Sequence, residues 1–403
     1  MKMSIKKTGT KISFVVLFTI TAFLLVWGCK KTFNDVKQQA APAASIDEST
    51  AVIDSILQVS GRFLRYPNGD TVILHGVNVP VYHSGYVNDL DNVASAIKNN
   101  TYVNAVRIPW YSKQVLSAIG NPPYYSTYAN LDSAISIYAS KKILPIVDLH
   151  DLTALGDNSV TGFNKYVVKF WTDTAVLRII RKHKNHIILN LANEWGATWA
   201  GLTGATFVNT YGALIQKLRT AGLTMPIMID APDGGANSDF LIANGQAVIN
   251  KDVKLNIILS VHTYWSQENG AIVNCPADYV TKIKALYTSN LPFILGEVSD
   301  WAVQGSNGQD HESTPPVSFA CPGLSSPNKY AVNYNAILPQ AMKYKIGFFA
   351  WTWYQDGLIV RNIYNQNTGL TKNTSTNAGS WPNNMLSATV VYGLKNPALN
   401  NVH

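Results

Sequence analysis

Charge is what this sequence has least of. Only 14% of its 403 residues are Asp, Glu, Lys or Arg, a low fraction for a cytosolic protein. The formal charge of +8 looks basic, but Lys2, Lys6, Lys7, Lys11, Lys30 and Lys31 crowd the first 31 residues, where no acid occurs. Setting those six aside leaves +2. No basic patch therefore argues for a nucleic-acid partner. Cysteine is nearly absent, at three residues. The pair His183 and His186 in "HKNH" has no carboxylate or cysteine at ligand spacing, so no metal site is read there, and no cofactor is expected anywhere. A glycine-rich phosphate loop after an early strand is also missing, which argues against a dinucleotide-binding sheet. No internal repeat and no long low-complexity segment occurs.

What is present begins with an address. "MKMSIKKTGTK" is a positive segment, "ISFVVLFTITAFLLV" an apolar one, and the run is short for a membrane span of about 20 residues. Gly28-Cys29 resembles a lipoprotein-type cleavage site, with Cys29 as the lipidated residue; an ordinary signal anchor is the other reading. Residues 1–28 are expected to be the signal peptide and 29–50, polar and Ala-rich, a tether. Either reading exports the protein into a bacterial envelope, as a lipoprotein of the outer membrane or as a secreted protein. Export permits a disulfide, and Cys275 and Cys321 either pair or remain two thiols.

From residue 51 the chain is expected to form one domain. Apolar runs of strand length fall at 72–78, 104–110, 143–150, 187–194, 226–232, 256–264, 293–298 and 347–353. Helical periodicity fills the intervals, near 90–100, 130–141, 163–183, 205–221, 236–248, 277–289, 328–344 and 384–393. Asn68-Gly69 between extended runs reads as a hairpin leading into the first strand. Eight strand–helix units predict a single α/β (β/α)8 TIM barrel with an N-terminal β-hairpin, against a doubly wound sheet as competitor.

In such a barrel chemistry gathers at the carboxyl ends of the strands. Those ends carry Asn78, Arg107, Trp110, His150, Asn193, Glu194, Trp195, Asp230, His262, Tyr264, Glu297, Trp351 and Trp353. Each alone has a structural explanation; their placement at one end is harder to assign to accident. Glu194 and Glu297 stand out as a carboxylate pair. Glycosidic cleavage needs two such groups, one to protonate the leaving oxygen and one to attack C1 or activate water. The acid needs burial or a nearby negative charge to keep its proton, and the nucleophile needs a positive neighbour, for which Arg107 is the candidate. Asn193 is expected to bond the hydroxyl beside the reacting carbon, and Tyr264 to donate to Glu297. Seven of ten tryptophans (Trp110, Trp195, Trp199, Trp265, Trp301, Trp351 and Trp353) fall at or beyond strand ends, where indole faces suit sugar rings.

With these motifs in view, residues 60 to 355 resemble glycoside hydrolase family 5, a cellulase and mannanase family of retaining (β/α)8 barrels. "LANEWG" resembles its strand-four motif, which implies Glu194 as acid/base with Asn193 beside it. "ILGEV" is similar to the nucleophile motif and implies Glu297; "VRIP", "DLH", "VHTY" and "FAWTW" supply Arg107, His150, His262 with Tyr264, and Trp351. Bacterial endo-β-1,4-mannanases look most similar. Strand seven departs from them in reading Glu-Val-Ser for Glu-Phe-Gly, as does "YQDG" after strand eight. The expectation is a monomeric endo-β-glycanase that acts on β-1,4-linked polysaccharide, foremost β-mannan. A cellulase or xyloglucanase, a non-catalytic glycan-binding lipoprotein and a transglycosylase are the alternatives. Trp195, Trp265 and Trp353 are expected to support substrate binding.

Overall fold

The computed structural model describes residues 57–81, 89–100, 103–118, 127–265, 276–298, 334–351, 353, 364–365 and 369–370. The chain divides into two units, Met1–Ala51 and Val52–His403. The signal segment, the tether, Cys29, Cys275, Cys321 and the helix expected at 384–393 lie outside the described residues.

Three short strands come first: β1 (Gln58–Ser60), β2 (Phe63–Arg65) and β3 (Thr71–Val72), paired antiparallel in that order. The Asn68-Gly69 hairpin is there, with Gly69 at φ +89° and Tyr66 N–H donating to Asp70 O at 2.9 Å. The hairpin gains a third strand, β1, that the sequence did not announce. Its first barrel run is also divided: Thr71–Val72 belongs to the hairpin, and the barrel strand starts at His75.

Eight parallel strands then close into a barrel. They are β4 (His75–Asn78), β5 (Ala105–Trp110), β6 (Leu144–Leu149), β7 (Ile188–Asn190), β8 (Ile227–Asp230), β9 (Ile257–His262), β10 (Phe293–Val298) and β11 (Gly347–Ala350), with β10 and β11 completing the ring beside β4 and β9. Every residue of these strands is buried, as expected for strands covered on both faces. Alternation decides which face each residue serves. Val106, Ile108, Val147, Leu149, Leu189, Ile227, Ile229, Ile257 and Leu259 pack outward with the helices. Ala105, Ile146, Ile188, Met228, Ile258, Ile294 and Phe349 pack together inside, joined by Leu57 and Leu64 from the N-terminal sheet. Val59 N–H also donates to Asn256 Oδ1 at 2.8 Å, just before β9. The small sheet therefore closes the amino end of the barrel with an apolar floor. Gly76 is required there, because a Cβ would stand 2.2 Å from the Phe349 ring.

Helix limits follow local chemistry. Thr203 caps Gly204–Thr220 by accepting from Thr206 N–H at 3.1 Å, and Gly222 at φ +80° follows its end. The helix expected over 163–183 is instead interrupted. A π-helical turn spans Phe163–Val168, and Thr174–Lys182 starts afresh under an Asp173 cap whose Oδ1 accepts from Ala175 N–H at 2.7 Å. The helix expected over 328–344 is described only as Tyr334–Tyr344. Among the described residues no helix is long and apolar enough to cross a membrane.

Candidate active site

The inward parity that fills the floor with Ala105 and Ile146 brings polar residues inward two positions later. Asn78, Arg107, Asp148, Asn190, Asp230 and Ser260 are all buried, one level above the apolar residues. Arg107 is the hub. Its Nε donates to Asn190 Oδ1 at 2.9 Å, and Nη1 to Asn78 Oδ1 at 3.0 Å and Glu297 Oε1 at 2.7 Å. Nη2 donates to Asn193 Oδ1 at 2.6 Å, with Asp230 Oδ2 and Asp148 Oδ2 at 3.1 and 3.0 Å. A planar fork with five N–H groups is the side chain that can serve so many acceptors at once.

Above this layer the chain turns Glu194 over the barrel mouth. β7 ends at Asn190, short of the run expected to reach residue 194. Glu194 takes φ +52°, a left-handed conformation costly for a side chain with a Cβ, and its N–H points to Asp230 Oδ2 at 3.3 Å. Glu194 Oε1 meets His262 Nδ1 at 2.7 Å. Glu297, from β10, accepts from Tyr264 Oη at 2.7 Å on Oε2, and His262 Nδ1 lies 3.6 Å from the same oxygen. One ligand-type atom each from Glu194, His262 and Glu297 falls within a 4.8 Å set. Two carboxylates thus converge beneath one opening, with an imidazole between them.

Burial opposes the charged form of His262, but Glu297, Asp230 and Glu194 surround it and hold its pKa up at about 9. Burial pushes Glu297 up from the ordinary carboxylate range; His262 and Arg107 pull it down, Glu194 adds to the rise, and His150 opposes it. Burial also drives the Tyr264 hydroxyl well above its usual value, which keeps it a donor. His150 contacts Asp148 through Nε2 and lies under Trp351, ring centres 5.9 Å apart and nearly parallel.

Residues 66–357 match the cellulase model of glycosyl hydrolase family 5. The chain belongs to that family. It is 26% identical over 296 residues to a mannan endo-1,4-beta-mannosidase of Cellvibrio japonicus, covering 73% of this chain and 58% of that protein. Against a beta-mannanase/endoglucanase A of Caldicellulosiruptor saccharolyticus it is 25% identical, covering 70% of this chain and 18% of that protein. The chain therefore spans little over half of the first relative and under a fifth of the second. The beta-mannanase of Thermomonospora fusca in its mannohexaose complex shares the fold at a TM-score of 0.59, with 19% identity, 84% of this chain and all of that one covered.

Against this family 5 barrel, the expected site residues sort into two groups. Arg107, His150, Asn193, Glu194, His262, Tyr264, Glu297 and Trp351 come together at the mouth. Trp195, Trp265 and Trp353 do not offer a face to the opening; all three are fully buried, as is Trp110. Trp195 packs against Phe163, Phe207 and Tyr211, and Trp265 against Tyr279 with Nε1 donating to Ala236 O at 3.0 Å. Seven sugar-facing tryptophans is therefore too many. A large indole just beyond a strand end also serves to seal strand against helix, and the sequence does not separate the two uses. Trp301 lies outside the described residues.

Asp148 was not anticipated, although an acid inside an apolar strand, at the parity of Arg107, is a signal. Gly235 was missed as well. It sits at φ +72°, its carbonyl accepts from His262 N–H at 2.8 Å, and a Cβ there would stand 2.5 Å from the His262 ring. Glu194, His262 and Glu297 could also be considered as metal ligands. The donor set is already engaged within the protein: Glu297 accepts from Arg107 and Tyr264, and Glu194 Oε1 meets His262 Nδ1.

Proposed function

We propose that the chain is a retaining endo-β-1,4-glycanase acting on β-mannan, with Glu297 as nucleophile and Glu194 as acid/base. The observation that carries this is the convergence of a Glu194 and a Glu297 oxygen within 4.8 Å. Retaining glycosidases hold their carboxyls about 5–5.5 Å apart, whereas inverting ones need about 6.5–9.5 Å to admit a water.

Glu297 attacks the anomeric carbon while the glycosidic C–O bond breaks and Glu194 gives its proton to the departing oxygen. Arg107 and Tyr264, each 2.7 Å from a different Glu297 oxygen, favour the carboxylate and aim it. In the second half, Glu194 takes a proton from water, the resulting hydroxyl bonds to C1, and Glu297 leaves as carboxylate. His262 Nδ1, 2.7 Å from Glu194 Oε1, fixes that carboxyl toward the leaving oxygen. Asn193, fixed by Arg107 and by Thr153 Oγ1 at 2.9 Å, is placed for the hydroxyl beside C1, and Trp351 on His150 forms a sugar-facing wall. The protein acts as a monomer, exported and held by a lipid on Cys29.

Mannan is favoured because the Cellvibrio relative carries that activity in its name. A β-1,4-glucan is the second reading, since the Caldicellulosiruptor relative is named for both. Release of reducing ends from β-mannan and carboxymethyl-cellulose decides between them. Proton NMR of the first product should show the β-anomer; an α-anomer would exclude double displacement. Binding of glycan with no hydrolysis of any β-polymer would instead make the chain a glycan-binding protein.

A further inference from the structure

Four tryptophans at the carboxyl end of the barrel are buried, but Trp199 is 80% exposed. We propose that Trp199 is the sugar platform on the leaving-group side of the cleft, stacking a neutral pyranose of the saccharide that departs; this rests on the glycanase reading above. Two independent features place it there.

The first is the cavity. Trp199 lines a cavity of ≈ 190 Å³ together with Thr153, Asn158, Glu194 and Asp233. A single water needs only about 10–15 Å³, so the space suits an organic group. Glu194 borders it and Glu297 does not. A proton donor stands between the reacting sugar and the sugar that leaves. A cavity bounded by the donor and not by the nucleophile, with Asn193 on its border towards the reacting sugar, is therefore where the leaving sugar is placed. Its chemistry fits a neutral polyol. Asn158 Oδ1 accepts from Gly196 N–H at 3.3 Å, and its Nδ2 has no partner among the described residues, so it can donate to a hydroxyl. The carboxylate of Asp233 is already committed to the protein.

The second feature is what commits it. Asp233 Oδ1 accepts from Thr198 N–H at 2.7 Å, and Oδ2 accepts from Thr198 Oγ1 at 2.6 Å and Asn237 Nδ2 at 2.7 Å. Asp233 itself stands at φ +58°. The turn Thr198–Ala200 closes through Leu202 N–H to Ala197 O at 3.1 Å, with Gly201 at φ +91° behind it. The indole is thus presented on a tied turn, at a cost in backbone strain. A platform fixed before binding loses less entropy when the sugar arrives.

The test compares two substrates on wild type, Trp199→Ala and Trp199→Phe. A β-linked pentaose, mannopentaose or cellopentaose according to the polymer cleaved, places sugars on both sides of the scissile bond. The matching β-glycobiosyl fluoride leaves as a single atom and places none on the departing side. In Trp199→Ala the ratio of kcat/KM on pentaose to that on fluoride should fall about tenfold, the scale of one aromatic stack. Trp199→Phe should recover most of that ratio. An unchanged ratio in Trp199→Ala, or a loss that Phe does not recover, overturns the proposal. A wild-type protein inert on both pentaoses and both fluorides would remove the glycanase reading itself, and this inference with it.

Discussion

Arg107 Nη1 and Glu297 Oε1 lie 2.7 Å apart, and neither side chain has appreciable contact with water. The same guanidinium holds Asp148 and Asp230 at 3.0 and 3.1 Å. That guanidinium is therefore the contact shared by three buried acids, two of which, Asp230 and Glu297, also face His262. Removing it strands them, and breaking a buried pair from one side costs about 3–5 kcal/mol. Arg107→Ala should lose that much stability in urea titration, and Arg107→Lys should lose activity as well, because an ammonium has no fork. A stability unchanged by Arg107→Ala would contradict the hub geometry.

Removing each carboxylate should leave a different signature. Glu194→Ala should lower kcat on polymer by about 10²–10⁴, the usual range for a lost acid/base. On an activated β-glycoside, whose leaving group needs no acid, added azide should raise the rate of Glu194→Ala and appear as the β-glycosyl azide, attacking after Glu297 has formed its bond. Glu297→Ala should be inactive and, with azide and an activated β-glycosyl fluoride, give the α-azide. Identical azide products from the two variants would reverse or void the assignment.

The pH dependence of stability follows from opposed histidines, with His186, pushed down to about 4 by burial, adding to the acid side. Folded His262 keeps its proton to about 9, whereas an unfolded histidine loses it near 6.5. Between those values the unfolded chain binds fewer protons, so this contribution is full below about 6.5, falls as pH rises, and is gone above about 9. His75 works the other way. Burial pushes it down to about 4, so its contribution is full above about 6.5 and falls as pH drops towards 4. Asp151, pushed up to about 6 by burial, acts against that acid limb. Thermal midpoints measured from pH 4 to 10 should decline from 6.5 to 9 in wild type and lose that decline in His262→Gln. His75→Phe, which can keep the stack on Phe348, should reduce the acid limb, and His186, also pushed down to about 4, should keep the rest of it.

Gly235 gives a test of positioning. Gly235→Ala puts a methyl 2.5 Å from His262 Cγ at φ +72°, so ring or backbone must shift. Strain of this kind costs about 1–3 kcal/mol. The variant should lose kcat more than KM, because His262 touches both glutamates. Gly61→Ala, also at positive φ but with open space around it, is the control and should keep its kcat.

Much of this was legible in the sequence for a physical reason. Barrel strands buried on both faces leave long apolar runs, so a charged residue inside one, such as Arg107 in "AVRIPW", is conspicuous. Glu194 and Glu297 end such runs, and that is where the structure brings them together. Strand ends were less legible: β7 stops at Asn190, and the left-handed backbone at Glu194 beyond it is a feature that apolarity does not encode. The division at Thr172–Asp173 was signalled only by the capping Asp173. Trp195 and Trp199, four residues apart, differ entirely in exposure because Asp233, distant in sequence, ties the turn that presents the second.

Among the described residues, the apolar floor made by Phe349, Ile258, Ile294 and the N-terminal Leu57 and Leu64 closes the barrel beneath the carboxylate pair. Water cannot reach C1 from below. It has to enter by the same mouth through which the first fragment leaves, and only after the place beside Glu194 has emptied. Under the double displacement proposed above, the lifetime of that fragment at the doorway would set how often the captured sugar is handed to water and how often to another hydroxyl waiting there.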